Sequence, residues 1–154
     1  KQMNCKIEIK NIESVTVATM RYNGPMTEAT KYFPNVFKAI KGKSNGAPFF
    51  CYYDVDQKTG VAEMELCVPT AETPNRMGIT TKEFPKTKAL FFTHTGSYSN
   101  LPKTYEMIFK YIHENNIKIQ TPWREVFIKG PGMLIKGNPD NYITEIIFPL
   151  KEEE

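Results

Sequence analysis

The two halves of the amino-acid sequence match each other, and this internal repeat constrains the fold more than any other feature. The matched positions keep turn, helix, hairpin and final proline in the same order. The shift between halves is 72 residues at the helix, 74 at the next strand and 80 at the last strand, and matched pairs are Gly24 and Gly96, Phe33 and Tyr105, Val36 and Ile108, Phe49 and Trp123, Tyr53 and Phe127, Glu65 and Glu145, and Pro69 and Pro149. The shift changes in loops, where insertions cost little.

Each half carries the pattern of a strand, a helix and a β-hairpin. Helical spacing of apolar residues predicts one helix from about Tyr32, with Pro34 in its first turn, and another from Leu101, with Asn100 as its cap. Asn23-Gly24-Pro25 predicts a turn. Strands are predicted at 5–9, 15–20, 49–55, 61–68, 79–84, 89–92, 123–128 and 142–148. The predicted fold class is therefore α+β, with tandem duplicated βαββ (strand-helix-strand-strand) modules related by pseudo-two-fold symmetry.

A chain of 154 residues can form one domain with a real core. We expect a single domain over 1–154, with copy one at about 5–69, a linker at 70–77 and copy two at about 78–150. A module with its helix on one face of a sheet leaves the other face open. The sister module is the natural partner for that face, so we expect the two exposed sheet faces to enclose a central ligand cleft.

The repeat fails at one charged residue. Side chains alternate along a strand, so Trp123, Glu125 and Phe127 share a face. The shift of 74 matches Glu125 to Cys51, which predicts an asymmetric pocket with a carboxylate on one side only. A carboxylate in an aromatic pocket has a raised pKa and prefers a cationic guest. The alternative interpretation is an edge strand whose Glu125 faces water.

Composition argues against several function classes. The net charge is +3 without a cluster of basic residues, which disfavours nucleic-acid binding, and no apolar run is long enough to span a membrane. Cys5, Cys51 and Cys67 lack metal or redox spacing, so we expect reduced thiols, a cytoplasmic location, and no metal or cofactor. The chain begins at Lys1, so it is expected to be either a stand-alone protein or part of a longer one. Its oligomeric state is left open.

Four stretches together resemble the GyrI-like small-molecule-binding domain, which also forms the effector-binding half of some AraC-type and MerR-type multidrug regulators. They are Arg21-Tyr22-Asn23-Gly24-Pro25, Thr93-His94-Thr95-Gly96-Ser97-Tyr98, Pro122-Trp123-Arg124-Glu125-Val126-Phe127 and Thr144-Glu145-Ile146-Ile147-Phe148-Pro149-Leu150. The resemblance extends over roughly residues 5–150. It implies an aromatic-lined central cleft that binds hydrophobic, often cationic, aromatic compounds, and a role in bacterial transcription regulation.

The resemblance also implies which residues bind the ligand. A glutamate at the bottom of the cleft corresponds by position to Glu125, and an aromatic partner at the start of the last strand corresponds to Tyr142. The repeat adds Phe49 and Tyr53 on the opposite wall, and the turn before the second helix adds Tyr98. The predicted ligand-binding residues are therefore Glu125, Trp123, Phe127, Tyr142, Phe49, Tyr53 and Tyr98. Glu65 and Glu145 are expected to serve the structure of each module, for instance by accepting hydrogen bonds near the turn before the helix.

Three functions follow, in order of preference. The first is a receptor or sequestering protein that binds a hydrophobic or cationic small molecule without turnover. The second is a hydrolase of strained electrophiles, with Glu125 as general base and Tyr142 as hydrogen-bond donor. The third is inhibition of a topoisomerase (gyrase) through a protein–protein contact, for which the sequence gives no direct indication.

Overall fold

A computed structural model describes residues 6–131 and 136–152, and these residues form one eight-stranded antiparallel sheet with two helices. The strands are β1 (Glu8–Ile12), β2 (Val15–Pro25), β3 (Phe49–Val55), β4 (Val61–Pro69), β5 (Ile79–Phe84), β6 (Thr87–Thr95), β7 (Trp123–Lys129) and β8 (Ile143–Pro149). Their order across the sheet is β1-β6-β8-β7-β3-β4-β2-β5. Cys5, the start of the strand predicted at 5–9, and Gly132 lie outside the described residues.

The helices are α1 (Phe33–Ala39), which continues a 3-10 segment over Met26–Tyr32, and α2 (Leu101–Glu114). Pro34 lies in the first turn of α1, as predicted, because a helix start tolerates the missing N–H. Asn100 occupies the N-cap position of α2, but its side chain makes no capping hydrogen bond. α2 has 14 residues, fewer than the roughly 20 needed to cross a bilayer, and no helix within the described residues qualifies as a membrane span.

Both helices pack on the same face of the sheet, which we call the helix face. α1 packs Phe33, Val36 and Ala39 against β3 and β4, and Ile40, which follows the helix, joins the same core. α2 packs Ile108 against Phe148 and other apolar residues of β6 and β8. Each helix therefore covers its own half of the sheet, and the two helix–sheet cores meet at β7, where Trp123 packs against both.

The opposite face, which we call the back face, is covered because the sheet curls. Phe84 on the edge strand β5 contacts Phe49 on the central strand β3, with ring centroids 5.7 Å apart. These two residues join Val17, Cys51 and Cys67 in one apolar cluster. Since β4 and β2 separate β5 from β3, this contact requires strong curvature.

The two halves meet edge to edge and not face to face. β3 pairs with β7 in an antiparallel ladder that includes Phe50 opposite Glu125 and Tyr52 opposite Trp123. The expectation that two separate sheet faces enclose a cleft is therefore wrong: main-chain hydrogen bonds join the modules into one sheet. The duplication and its symmetry stay predictions, since strand order does not by itself establish them.

The two short strands cross between the halves. β1 comes before the first half of the chain but pairs with β6 of the second half, and β5 comes before the second half but pairs with β2 of the first half.

The strand ends also differ from prediction. β2 continues through Asn23-Gly24-Pro25, the predicted turn, because its partner β4 keeps pairing with it as far as Val61. β6 extends from Thr87 to Thr95 and is longer than the predicted 89–92, because it pairs with β8 as far as Thr95 and with β1 as far as Thr87.

Candidate functional site

Glu125 lies on the helix face at the centre of the sheet and points inward. Only 7% of its surface is exposed, so it does not face water as the alternative interpretation required. Its Oε1 accepts a hydrogen bond from Tyr52 on β3 (3.1 Å), and its Oε2 accepts one from Tyr105 on α2 (2.5 Å). Two phenol donors thus hold a carboxylate in an apolar setting. No cationic side chain within the described ranges forms a salt bridge with it.

Aromatic side chains surround this carboxylate. Trp123 is stacked between Tyr52 and Phe148, with ring centroids 5.3 and 5.5 Å away. Phe127 makes edge contacts with Phe50 at 5.0 Å and with Tyr98 at 6.0 Å. Trp123 packs against the cores of both α1 and α2, so it bridges the two halves at the site. We call Tyr52, Tyr105, Trp123, Glu125 and Phe127 the Glu125 site.

The environment shifts the proton affinities within the site. Burial raises the pKa of Glu125, although the hydrogen bonds from Tyr105 and Tyr52 oppose that effect by stabilising the anion. Burial also raises the pKa of Tyr52 and of Tyr105 well above the usual range for a tyrosine, and the charge on Glu125 adds to both shifts. Both tyrosines therefore stay protonated at neutral pH and act as donors to the carboxylate.

Tyr98 and Tyr142 lie beside Phe127 at the edge of the site. Their ring centroids are 5.1 Å apart. Tyr142 is buried, and its hydroxyl donates to the carbonyl of Lys136 at 2.7 Å. The Tyr98 hydroxyl lies so close to Gly130 that a Cβ there would come within 2.6 Å of it. Tyr98 therefore needs a glycine at position 130 to keep this position against Phe127.

Phe49 and Tyr53 do not line the same wall as Glu125, and that prediction is wrong. They belong to the back-face cluster, while Phe50 and Tyr52 share the helix face with Glu125. The shift of 74 residues is off by one in this strand. Because side chains alternate, a slip of one residue sends every side chain to the other face. The match of Glu125 to Cys51 fails for the same reason: Cys51 lies on the back face.

Tyr52 and Tyr105 are the two contacts of Glu125 that the sequence analysis missed. The slip of one residue hid Tyr52. Tyr105 lies on the apolar face of α2, where the helical spacing alone does not distinguish it from a core residue. A usable signal was present, because a buried tyrosine hydroxyl needs a hydrogen-bond partner, and an apolar helix face offers it none.

Glu65 and Glu145 both lie on the back face. Glu65 accepts hydrogen bonds from Tyr53 (2.5 Å) and Thr19 (3.0 Å), and Lys82 lies 3.0 Å from its Oε1. It therefore serves the structure by joining strands and not by bonding near the turn before the helix. Burial tends to raise its pKa, but the hydrogen bonds from Tyr53 and Lys82 outweigh burial and lower it. Glu145 pairs with Val126 and lies on the face opposite Tyr142, as the strand alternation predicts.

The strands bring together Cys51, Glu65 and Cys67, whose potential ligand atoms lie within 4.8 Å of one another. Sequence spacing did not reveal this cluster, because antiparallel pairing and not sequence proximity creates it. Its surroundings do not favour a cation. Lys82 already binds both oxygens of Glu65, and burial raises the pKa of the Cys51 thiol well above its usual range. We assign no metal to it.

Two cavities lie away from the Glu125 site. One, of about 190 Å³, lies beside Met20, Asn35 and Ile79. The other, of about 170 Å³, lies beside Arg124 and Phe84. At the Glu125 site itself, the aromatic side chains cover the carboxylate, so a guest must displace some of them to reach it.

Comparison with solved structures shows the same fold in several proteins. The C-terminal domain of EcmrR aligns with a TM-score of 0.83 and 24% identity, over 98% of this chain and 100% of that chain. SAV2435 bound to tetraphenylphosphonium aligns with a TM-score of 0.58 and 16% identity, over 97% of this chain and 94% of that chain. A hydrolase encoded by lin2189 from Listeria innocua aligns with a TM-score of 0.67 and 11% identity, over 95% of this chain and 92% of that chain. A comparison with curated protein sequences finds no significant match.

A family model for the GyrI-like small molecule binding domain matches residues 5–151. The match extends over nearly the whole chain and includes every strand and both helices. It also includes all five residues of the Glu125 site. The chain therefore belongs to the GyrI-like family of small-molecule-binding domains.

Proposed function

We propose that this protein binds hydrophobic, cationic aromatic small molecules at the Glu125 site without turning them over. One observation carries the proposal: Glu125 is a buried carboxylate that forms no salt bridge within the described residues, and aromatic rings surround it. A buried charge without an opposite charge is costly. A cationic guest supplies that charge, and Phe127, whose ring makes edge contacts and no stacked contact with Phe50 and Tyr98, adds cation–π attraction of about 0.5–2 kcal/mol.

Binding requires the site to open. At the edge of the site, the ring of Tyr98 contacts the rings of Phe127 and Tyr142, and its hydroxyl lies against Gly130. We infer that a guest displaces Tyr98, which contacts Phe127. Tyr98, Tyr142, Phe127, Trp123 and Glu125 are thus the ligand-binding residues of this proposal, with Tyr52 and Tyr105 added.

The comparisons support the class of ligand. SAV2435 shares the fold and is bound to tetraphenylphosphonium, a hydrophobic aromatic cation. EcmrR shares the fold and is also described in a complex with DNA. The alignment covers 59% of the EcmrR chain in that complex. We infer an effector-binding or sequestering role for this chain, in a cytoplasmic setting, and assign DNA contacts to no residue of it.

The repeat supports a further part of this proposal. Reading the strand order from the centre outwards gives β3-β4-β2-β5 in one direction and β7-β8-β6-β1 in the other. We infer that the two halves are copies of one module related by a pseudo-two-fold axis between β3 and β7. On that axis the site is asymmetric, since copy two contributes Glu125 and copy one contributes apolar and phenolic groups.

A hydrolase is the second candidate, favoured by the raised pKa of Glu125, which suits a general base. The proposed donor changes: Tyr142 donates to the carbonyl of Lys136, whereas Tyr105 donates to Glu125 itself. Incubation with a strained electrophile, followed by product analysis, separates the two candidates. Turnover that disappears in Glu125→Gln supports the hydrolase, and unchanged reactant supports binding alone.

The proposal is tested by thermal-shift measurements with tetraphenylphosphonium and a neutral aromatic compound of similar size. A ligand that binds only the folded state raises the melting temperature by mass action. We expect a larger rise with the cation than with the neutral compound in the wild-type protein. Equal rises, or none with either compound, would remove Glu125 as the recognition charge.

A further inference from the structure

A second charged residue is buried without an ionic partner, and it lies on the other side of the sheet. Arg124 follows Trp123 in β7, so its side chain leaves the strand on the back face, opposite Glu125. It is only 5% exposed. None of the salt bridges among the described residues involves it, and its Nε–H is buried without a hydrogen-bond partner there.

The neighbours of Arg124 do not neutralise its charge. Its guanidinium carbon lies 4.8 Å from the centroid of the Phe84 ring and 5.5 Å from that of Phe49, which are cation–π contacts. The buried carboxylate on this face, Glu65, is already paired with Lys82. Cys51 is also close, but burial raises the pKa of its thiol, so it stays neutral near pH 7.

Arg124 lines the cavity of about 170 Å³ at the end of the sheet. The polar part of its wall is Thr87, Gln120, Thr121 and Arg124, and its apolar part includes Phe84 and Pro122. The cavity is smaller than the roughly 300–1,000 Å³ of a site for a drug-sized ligand. It therefore combines one cationic group, neutral hydrogen-bonding groups and an apolar wall in a space for a small molecule.

We propose that this cavity binds a small organic monocarboxylate, which forms an ion pair with Arg124 through the buried Nε–H and the rest of the guanidinium. A guanidinium offers planar, paired N–H donors that match the two oxygens of a carboxylate. The short apolar body of the ligand packs against Phe84 and Pro122. One negative charge balances one positive charge, whereas a phosphate would leave additional charged oxygens against the apolar wall.

This second site is independent of the Glu125 site, because the sheet separates them. The two sites also have opposite charge preferences: a cation at Glu125 and an anion at Arg124. The failure of one proposal therefore leaves the other standing, and the experiments below do not use a cationic ligand.

The direct test is a titration of the full chain with sodium propionate, followed by NMR of the arginine Nε–H groups. The chain has only three arginines, Arg21, Arg76 and Arg124, so the signals are few. We expect the Arg124 Nε–H signal to move downfield and saturate, because it gains an acceptor. Arg21 and Arg76 serve as internal controls and should move no more than they do with sodium chloride at equal ionic strength.

Variants test the same point by thermal shift. Arg124→Met removes the buried charge and roughly keeps the volume of the side chain. We expect the propionate concentration that gives half of the maximal thermal shift to be at least about tenfold higher in this variant than in the wild-type protein. The exposed Lys118→Gln should keep the wild-type response. If Arg124→Met does not fold, the NMR titration of the wild-type protein still decides.

Three results would overturn the proposal. The first is an Arg124 signal that does not saturate with propionate. The second is an equal response of all three arginines, which indicates screening only. The third is tighter saturation by inorganic phosphate than by propionate, which would contradict the choice of a carboxylate.

Discussion

The hydroxyl of Tyr105 on α2 donates a 2.5 Å hydrogen bond to Oε2 of Glu125 on β7. This bond ties the second helix to the central strand and gives a partner to the hydroxyl of a tyrosine whose ring packs against the α2 core. Tyr52 on β3 binds the other oxygen. The carboxylate is thereby held by one residue from each half of the chain, at the line where the halves meet.

Removing the Tyr105 hydroxyl should raise the pKa of Glu125 further. Tyr105→Phe deletes a donor that stabilises the anion, and burial, which already raises this pKa, then acts with less opposition. We also expect a loss of about 1–3 kcal/mol in the free energy of unfolding at neutral pH, since a buried acceptor loses a partner. Carboxyl ¹³C NMR gives the pKa. Tyr111→Phe on the same helix is the control, and a Glu125 pKa that is the same in both variants would contradict the assigned role.

Glu125 should make the protein less stable as the pH rises. Its pKa is raised in the folded state, so between the ordinary glutamate value and the raised value the folded protein holds more protons than the unfolded chain does. Stability then falls with increasing pH across that window, by about 1.4 kcal/mol per unit of pKa difference. Glu125→Gln should lack this slope in urea unfolding experiments, whereas Glu106→Gln at an exposed position of α2 should keep it. An identical pH profile for Glu125→Gln and wild type would contradict the raised pKa of Glu125 in the folded state.

Glu65 should act in the opposite direction. Its hydrogen bonds from Tyr53, Lys82 and Thr19 lower its pKa in the folded state despite burial. Its contribution is therefore present above the ordinary glutamate pKa and is lost as the pH falls through the lowered value. We expect Glu65→Gln to cost about 1–3 kcal/mol at neutral pH, with a smaller cost in acid. Chemical denaturation at two pH values measures this, and a cost that grows on acidification would be inconsistent with the lowered pKa.

Truncating a buried side chain under α2 should lower the free energy of unfolding by as much as a core truncation usually does. Ile108 is fully buried against β6 and β8, so Ile108→Ala should cost about 2–5 kcal/mol through lost burial and the cavity left behind. Lys110→Ala on the exposed side of α2 should change stability by no more than about 0.5 kcal/mol, because its 3.8 Å ion pair with Glu114 is exposed to solvent. Similar losses in the two variants would mean that α2 is not packed as described.

The sequence predicts the local elements well and the arrangement between the halves poorly. Both helices and the alternation that puts Trp123, Glu125 and Phe127 on one face follow from periodicity within a single segment. The β3–β7 pairing does not, because it depends on contacts between residues more than 70 positions apart. For that reason the two sheets were expected to face each other, although they share an edge.

The candidate site shows the same limit at finer scale. Glu125 could be singled out because it is the charged residue between Trp123 and Phe127 on one face of its strand. Phe50 and Tyr52 could not be separated from Phe49 and Tyr53, since all are aromatic and a slip of one residue in the repeat exchanges the two faces. No sequence pattern predicts that Arg124 is buried, because its burial depends on the curl of the sheet, which brings Phe84 on an edge strand over it.

The most direct test of the central claim is a calorimetric titration with tetraphenylphosphonium at neutral pH, comparing wild type with Glu125→Gln and with the Glu106→Gln control. Gln keeps the size and hydrogen-bonding groups of Glu125 but removes its charge, so the comparison isolates the ion pair. We predict that Glu125→Gln lowers the affinity for the cation by about tenfold or more, which corresponds to about 1.4 kcal/mol or more. The affinity for a neutral aromatic ligand of similar size should stay within about twofold of the wild-type value, or about 0.4 kcal/mol. Equal affinity of wild type and Glu125→Gln for the cation would contradict the claim that Glu125 is the recognition charge.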